Sequence, residues 1–160
     1  MKRIIAYTDG SSRGNPGNGG IGVVLNYQEH TKEISKGFSN VTNNQMELLA
    51  IAVALQSLKE RCNIIVHSDS AYSINGFNKG WVENWKKNGW KNASGKAVKN
   101  PEIWRLLDIL VKRHNVTFKH VKAHSGIELN EKADKLAYSA ASASNKLSIS
   151  AFIKDMERKL

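Results

Sequence analysis

The stretches RIIAYTD (residues 3–9) and NIIVHSD (residues 63–69) decide the fold of this chain. Each is a short aliphatic segment that ends in an aspartate, a pattern typical of a β-strand followed by a turn. A helix is predicted before the second strand, so we expect that strand to run parallel to the first, because parallel strands need a long crossover connection. The first strand carries apolar residues on both faces, which predicts a central place in the sheet.

A hairpin is predicted directly after the first strand. The glycine-rich stretch 10–19 indicates a loop, and the segments 21–27 and 31–38 have the composition of two strands. A short polar turn joins these two segments, so we expect them to pair antiparallel.

Three helices complete the pattern. Thr42 and Gln45 stand at the spacing of a capping box, and the run 48–55 that follows is apolar almost all round, so this helix is expected to be buried on more than one side. Pro101 favours the first turn of a second helix. The last helix is predicted at residues 130–141.

A fifth strand is predicted at residues 116–122. The fold class is therefore α/β, with a mixed five-stranded sheet flanked by helices. At 160 residues the chain is expected to form one domain, residues 1–145, followed by a tail at 146–160 that is docked or partly flexible.

The chain is strongly basic. It has 24 Lys and Arg residues against 14 Asp and Glu residues, which gives 24 − 14 = +10, and such a balance favours nucleic acid as a partner. A basic surface without a specific partner is the alternative. The single cysteine and the absence of an apolar run near 20 residues predict a reduced, cytoplasmic protein with no membrane contact.

Four acidic residues stand out because each is predicted where a strand ends or a helix begins. They are Asp9, Glu47, Asp69 and Asp134. Taken singly, each has an ordinary structural explanation: a strand-end turn for Asp9 and Asp69, a favourable helix-dipole position for Glu47, and a surface acid for Asp134.

Taken together, these acids predict a metal site. The carboxyl ends of neighbouring parallel strands are where ligands collect in an open sheet, and Asp9 and Asp69 both lie there. Two carboxylates about 4 Å apart repel by roughly 4 kcal/mol at an effective dielectric constant of 20, so a cluster of four requires cations. Oxygen ligands of this kind suit Mg²⁺ or Mn²⁺.

Six stretches resemble the type 1 ribonuclease H family, and in particular the bacterial ribonucleases HI. They are YTDGSSRGNPGNGGIGVVL (7–25), TNNQMELLAIAVAL (42–55), HSDSAY (67–72), GWVENWKKNGWK (80–91), KNPEIW (99–104) and VKAHSGIELNEKADKLA (121–137). They follow the family's order and cover most of the chain. The resemblance implies a ribonuclease H-like fold and an endoribonuclease that hydrolyses the RNA strand of RNA-DNA hybrids, leaving 5′-phosphate and 3′-hydroxyl ends.

The resemblance also assigns the catalytic residues. The four acids match the family's metal-binding and catalytic carboxylates, which hold two Mg²⁺ ions when substrate is bound, with Mn²⁺ as a possible substitute. Under this assignment Asp9 bridges both ions, Glu47 and Asp69 hold one of them, and Asp134 holds the other. His124 matches a histidine on a mobile loop that assists proton transfer or product departure.

Substrate contacts are expected on both sides of the acids. The resemblance places Gly10, Ser11 and Asn15 against the RNA, and Thr42 and Asn43 against a phosphate of the DNA strand. Uncharged polar groups are needed to recognise the 2′-hydroxyl. The candidates for that role are Asn15, Asn43, Asn44 and Gln45, for which helix capping and turn formation are the alternative roles.

A lysine- and tryptophan-rich segment at residues 79–99, here called the handle, matches the basic handle of the bacterial enzymes. It holds six lysines against one acid. Its candidate contacts with the nucleic acid backbone are Trp81, Trp85, Lys86, Lys87, Trp90 and Lys91. Packing within the handle is the alternative for Trp81.

Two other functions are compatible with parts of this pattern. One is a DNA-processing nuclease of the same fold, which the 2′-hydroxyl candidates and the handle disfavour. The other is a non-catalytic hybrid-binding module, which would gain nothing from four carboxylates facing phosphate. A free-standing monomer is expected.

Overall fold

Six strands form one mixed sheet in the computed structural model, which describes residues 1–160. The sheet order is β5-β4-β1-β2-β3-β6. The strands are β1 (Arg3–Ser12), β2 (Gly17–Tyr27), β3 (His30–Val41), β4 (Asn63–Ser68), β5 (Asn115–His120) and β6 (Leu147–Ser148). The helices are α1 (Asn43–Gln56), α2 (Ala71–Asn78), α3 (Trp81–Lys87), α4 (Pro101–Lys112), α5 (Glu128–Ser142) and α6 (Ile149–Arg158).

The α/β fold class and the central position of β1 are confirmed. β1 pairs in parallel with β4 and antiparallel with β2, and β2 pairs antiparallel with β3. The β1–β4 register places Tyr7 opposite His67, and the two rings stack with centroids 4.3 Å apart. Asp9 and Asp69 each follow this pair by two residues, so both lie at the carboxyl end of the two strands.

Helices α1 and α5 lie on opposite faces of the sheet. A β-carbon added to Gly22 would point at the backbone of α5, 2.1 Å from the Ala133 carbonyl oxygen, whereas one added to Gly19 would point at Met46 of α1. Successive residues of a strand face opposite sides, which fixes the two helices as separate layers. Asp9 therefore points to the side of the sheet that α5 covers, and Gly10 points to the side that α1 covers.

The capping box of α1 is confirmed. The Thr42 hydroxyl accepts a hydrogen bond from the Gln45 backbone, and the Gln45 side chain accepts one from the Thr42 backbone. Every residue from Met46 to Leu55 is buried, because the sheet lies on one side of the helix and α4 on the other. The predicted all-round burial is therefore correct.

The sheet has six strands, not the five that were predicted. The sixth, β6, is only two residues long and pairs with β3, so no periodicity in the sequence could signal it. The glycine-rich stretch was also predicted wrongly as a long loop. β1 continues to Ser12 and β2 begins at Gly17, because glycines let these strand ends pass close beneath the helices.

The tail is docked. Helix α6 buries Ile153 and Met156, the Gln56 side chain donates to the Met156 carbonyl at 2.9 Å, and the Arg113 guanidinium donates to the Leu160 carbonyl at 2.6 Å. No helix combines the length and the apolar character needed to cross a membrane.

Candidate active site

The four predicted carboxylates line one cleft of about 310 Å³ at the carboxyl ends of β1 and β4. No hydrophobic residue lines it. Its residues are Asp9, Gly10, Ser11, Asn43, Glu47, Asp69, Ser70 and Asp134. The sheet supplies two of the acids, α1 supplies Glu47 and α5 supplies Asp134, so the cleft lies where the three layers of the fold meet.

Gly10 allows Glu47 to reach Asp9 from the opposite side of the sheet. A β-carbon at Gly10 would lie 2.3 Å from the Glu47 backbone nitrogen, so only glycine lets α1 approach this closely. The Gly10 backbone N–H then donates to both acids, at 3.0 Å to Asp9 Oδ1 and 2.5 Å to Glu47 Oε1. The second Glu47 oxygen, Oε2, is buried and has no hydrogen-bond partner.

Burial raises the pKa of both acids. Asp9 is 5% exposed and Glu47 is 3% exposed. The pKa of Asp9 rises from its ordinary value of 3.8 to about 7, first because burial penalises the charged form and then because Asp134 and Asp69 are nearby. The pKa of Glu47 lies well above its ordinary value, again chiefly through burial and then through Asp9.

This donor set fits a divalent cation. Ligand oxygens of Asp9, Glu47 and Asp69 lie within 4.8 Å of one another, and the unpartnered Glu47 Oε2 is an acceptor that a hard cation would satisfy. A cation would also remove the repulsion that opposes ionisation of the buried pair. The arrangement therefore meets the expectation of a metal site in both ligand chemistry and electrostatics.

The raised Asp9 pKa predicts how the stability of the metal-free protein depends on pH. The unfolded chain releases the Asp9 proton near 3.8 and the folded chain near 7, so the folded state binds more protons between these values. The stability contribution of protonated Asp9 is complete below about pH 4 and is lost as the pH rises to about 7.

Urea unfolding in EDTA from pH 4.5 to 7.5 checks this expectation. The difference in unfolding free energy between Asp9→Asn and the wild type isolates the carboxyl and should grow in favour of the variant as the pH rises. Saturating Mg²⁺ should cancel that growth. A difference that stays constant across this range would contradict the buried, proton-retaining state of Asp9.

A second group joins the cleft at its α5 side. His124, Glu131 and Asp134 have ligand atoms within 4.8 Å of one another, and His124 Nδ1 lies 3.8 Å from Glu131 Oε2. The His124 side chain is 72% exposed on the β5–α5 loop, with a positive φ of 52°. The sequence argument missed Glu131, although its spacing of three residues before Asp134 places both on one face of a helix.

The β5–α5 loop, residues 121–127, lies two residues earlier than was predicted, because β5 ends at His120 and α5 begins at Glu128. His120, at the end of β5, does not belong to the second group. Its Nε2 lies 3.1 Å from the Asp69 carbonyl oxygen. Ser70 also lines the cleft and was not predicted. Its position directly after Asp69 and before a helix is the usual signal of an N-cap, which is the role it plays for α2.

The expected 2′-hydroxyl candidates lie around the start of α1. Asn43 lines the cleft, and its backbone N–H donates to Asn15 Oδ1 at 3.0 Å, so the β1–β2 turn is tied to α1 beside the carboxylates. Gln45 forms the capping box with Thr42, and Asn44 is exposed outside the cleft. Capping is thus present in the structure, and the amide NH₂ groups of Asn15 and Gln45 remain available for other partners.

The handle packs on α4 through its tryptophans. The Trp85 ring meets the fully buried Trp104 edge-on with centroids 5.2 Å apart, and the Arg105 guanidinium lies 4.9 Å from the Trp90 ring centroid. Trp81 is half-buried with its ring centroid 6.3 Å from that of Trp85.

The three handle lysines are not equivalent. Lys86 Nζ lies 3.1 Å from Asp108 Oδ2, in a network that Lys112 joins at 3.3 Å. Lys87 and Lys91 are exposed and form no salt bridge. The charges of Lys87 and Lys91 are therefore available to a partner, whereas that of Lys86 is already paired with Asp108.

The sequence matches one family model and several named proteins. The family model described as RNase H matches residues 1–142. A protein named Ribonuclease H from Clostridium botulinum is 54% identical over 143 residues, which span 88% of this chain and 96% of that protein. A protein named Ribonuclease HI from Pasteurella multocida is 51% identical over 141 residues, which span 88% of this chain and 91% of that protein.

Solved structures show the same similarity. LC9-RNase H1, described as a type 1 RNase H with the type 2 active-site motif, has a TM-score of 0.81 at 28% identity and covers 91% of this chain and 74% of that one. LC11-RNase H1 in complex with an RNA/DNA hybrid has a TM-score of 0.65 at 27% identity, covering 87% of this chain and 96% of that one.

Proposed function

The chain belongs to the ribonuclease H family and cleaves the RNA strand of RNA-DNA hybrids, and from this premise we propose which of its residues carry out the reaction. The family is metal-dependent, and the cleft holds a group of acids able to bind metal. The single observation that carries the assignment is the mutually close set Asp9, Glu47 and Asp69, of which the first two are buried, with Asp134 lining the same cleft.

We assign Mg²⁺ as the cofactor, held by Asp9, Glu47, Asp69 and Asp134. The chemistry that two such ions would supply to this cleft is activation of a water for in-line attack on phosphorus and stabilisation of the departing 3′ oxygen, which corresponds to 5′-phosphate and 3′-hydroxyl products. The buried Glu47 Oε2, which has no hydrogen-bond partner, supports this choice. The acidic ligands of the cleft are all carboxylate oxygens, which hard cations such as Mg²⁺ prefer.

The remaining roles follow from the surroundings of the acids. Gly10 holds the carboxylates of Asp9 and Glu47 in place through its backbone N–H. His124 is exposed on its loop, so it can move a proton to or from the product oxygen and turn away again. Glu131, at 3.8 Å, is placed to orient the His124 imidazole.

The hybrid is expected to lie across the cleft with its minor groove over the start of α1. Gly10, Ser11 and Asn15 lie on one side of the carboxylates, and the side chains of Asn43, Asn44 and Gln45 supply uncharged groups for the 2′-hydroxyl. Thr42 and Asn43 stand at the N-terminus of a 14-residue helix, a position that favours a phosphate of the DNA strand.

The handle completes the binding surface. Its structure is held by packing of Trp81, Trp85 and Trp90. Its unpaired positive charges, on Lys87 and Lys91, face the hybrid backbone in this proposal. Lys86 contributes to the same field while its ion pair with Asp108 fixes α3 on α4. We further propose that residues 1–145 act as one domain with the 146–160 tail docked on it, as a cytoplasmic monomer.

The Lys87→Ala/Lys91→Ala double variant tests the handle. Its Michaelis constant should rise by roughly tenfold near 0.1 M salt with little change in kcat, and the slope of its logarithm against log salt should fall by about 1.5, because two phosphate contacts are lost. Lys86→Ala should also lower the melting temperature. The control is Lys59→Ala/Lys154→Ala, which removes two exposed charges far from the cleft. Equal salt slopes for both double variants would contradict the role of the handle.

A three-substrate assay tests the function as a whole. The protein is incubated with a 5′-labelled RNA-DNA hybrid, the matching DNA duplex and the matching RNA duplex, each with Mg²⁺ or with EDTA. Only the RNA strand of the hybrid should be cut, and only with Mg²⁺. Binding without cleavage would identify a hybrid-binding module, and cleavage of the DNA duplex would identify a DNA-processing nuclease.

A further inference from the structure

Arg13 and Tyr138 form an exposed pair next to the cleft, outside every contact assigned above. The Arg13 guanidinium lies over the Tyr138 ring, with its central carbon 4.4 Å from the ring centroid. The same guanidinium donates a hydrogen bond to the Ser142 hydroxyl. Tyr138 is 57% exposed, an unusual exposure for a tyrosine ring on a helix that otherwise packs small alanines against the sheet.

The Arg13–Tyr138 pair lies next to the carboxylate cleft. Tyr138 follows Asp134 by four residues, so the two side chains lie on one face of α5 about 6 Å apart along the helix axis. Arg13 follows Ser11, which lines the cleft, by two residues. The β1–β2 turn that carries Arg13 is held by a 2.7 Å hydrogen bond from the Arg13 backbone N–H to the Asn18 carbonyl.

The positive charge of Arg13 is not neutralised by any carboxylate. The salt bridges of the chain use other basic side chains, namely Lys2, Lys86, Lys112, His124, Lys132, Arg158 and Lys159. Stacking on Tyr138 and the bond to Ser142 instead fix the direction of the guanidinium while leaving most of its five N–H donors free. A guanidinium fixed in this way loses little side-chain entropy when it binds a planar or tetrahedral oxyanion.

The pair lies on the opposite side of the cleft from the handle. Helix α2 contacts β4 and β5, and α3 of the handle packs on α2, whereas Arg13 lies in the β1–β2 turn. A duplex centred on the carboxylates would therefore extend over the handle in one direction and over Arg13 and Tyr138 in the other.

We propose that Arg13, oriented by Tyr138 and Ser142, binds a backbone phosphate of the RNA-DNA hybrid on the side of the cleft away from the handle. The proposal rests on the function assigned above and adds a second point of attachment to it. The ligand is a phosphate rather than a base, because the bases of a duplex are paired and the Tyr138 ring already has Arg13 stacked on it.

Binding measurements on a cleavage-deficient background test the proposal. Arg13→Ala and Arg61→Ala are each combined with Asp9→Asn, and the dissociation constant of a fluorescent hybrid is measured in Mg²⁺ over a range of salt. Arg61 is a matched control because it is exposed, forms no salt bridge and precedes β4 at the end of the sheet opposite the cleft.

Arg13→Ala should weaken binding by about threefold to tenfold near 0.1 M salt and reduce the salt slope by about 0.8, as expected for one lost phosphate contact, while Arg61→Ala should change neither. Tyr138→Phe keeps the stacking face and should bind as the wild type does, whereas Tyr138→Ala should show part of the Arg13→Ala loss. Equal binding by the Arg13 and Arg61 variants, with a lowered melting temperature for Arg13→Ala alone, would show that the pair only clamps the turn to α5.

A scan with neutral methylphosphonate linkages locates the contact. One substituted linkage should weaken binding by the protein that retains Arg13 and have no effect on the Arg13→Ala variant, a pattern that a purely structural role would not produce. Sensitivity that is the same in both proteins at every linkage overturns the proposal. Failure of the function itself is recognised separately, because the wild type would then leave the hybrid uncut.

Discussion

Asp9→Asn is expected to abolish hydrolysis of the RNA strand, lowering kcat by at least about a thousandfold, since loss of a metal-binding carboxylate removes several kcal/mol of transition-state stabilisation. Asp9 is close to each of the other three acids. It shares the Gly10 N–H with Glu47, its ligand oxygen lies within 4.8 Å of one of Asp69, and Asp134 lines the same cleft. Single-turnover cleavage of a labelled hybrid in Mg²⁺ measures the effect.

Two observations separate loss of chemistry from loss of structure. The amide that replaces the Asp9 carboxyl is neutral, so the variant should bind hybrid and should melt no lower than the wild type in metal-free buffer near pH 7.5, where the buried Asp9 carboxyl is costly. Asp155→Asn is the matched control: it removes an exposed carboxylate of α6 that pairs only with Arg158 and Lys159, and it should cleave normally. Substantial cleavage by the Asp9 variant would remove Asp9 from the catalytic set.

Gly22→Ala is expected to be the most damaging single methyl group that can be added to the sheet. The new β-carbon would lie 2.1 Å from the Ala133 carbonyl oxygen and 2.8 Å from the Ala137 nitrogen. Both contacts are with backbone, so no rotamer change can relieve them and α5 must move away from β2. We expect a loss of about 3 kcal/mol, the upper part of the range for overpacking, and a melting temperature lower by about 6–12 °C.

The same substitution should also lower kcat. Asp134 follows Ala133 directly, so an outward shift of α5 withdraws its carboxylate from the other three acids. Asn26→Ala, further along β2 and away from α5, is the control and should leave both stability and kcat nearly unchanged. Normal stability in the Gly22 variant would mean that α5 does not lie as close to the sheet as these distances require.

The acids and the central strands could be predicted because their signals are local. The aliphatic runs that end in Asp9 and Asp69 have the period of a strand, and Thr42 with Gln45 is a complete capping signal within four residues. The nearness of Asp9 and Asp69 required only that β1 and β4 be parallel neighbours, which the intervening helix already indicated, whereas Glu47 and Asp134 join them through helices packed on the two faces of the sheet.

What could not be predicted depends on contacts between distant segments. Strand β6 exists only because residues 147–148 meet the edge of β3. The pairing of Lys86 with Asp108 requires α3 to pack on α4, and the nearness of Glu131 to His124 requires a particular loop conformation with positive φ. None of these leaves a periodic pattern in the sequence, so each becomes visible only when the chain is folded.

The order of the strands in the sheet also bears on how the chain must fold as it is made. β1 can pair with β2, and β2 with β3, as soon as residue 41 has emerged from the ribosome, but the other edge of β1 stays open until β4, which begins at Asn63, has emerged. An open edge rich in aliphatic residues is a site for pairing with other chains. The fourth carboxylate is not made until residue 134, so the first three acids are synthesised well before the set of four can be complete.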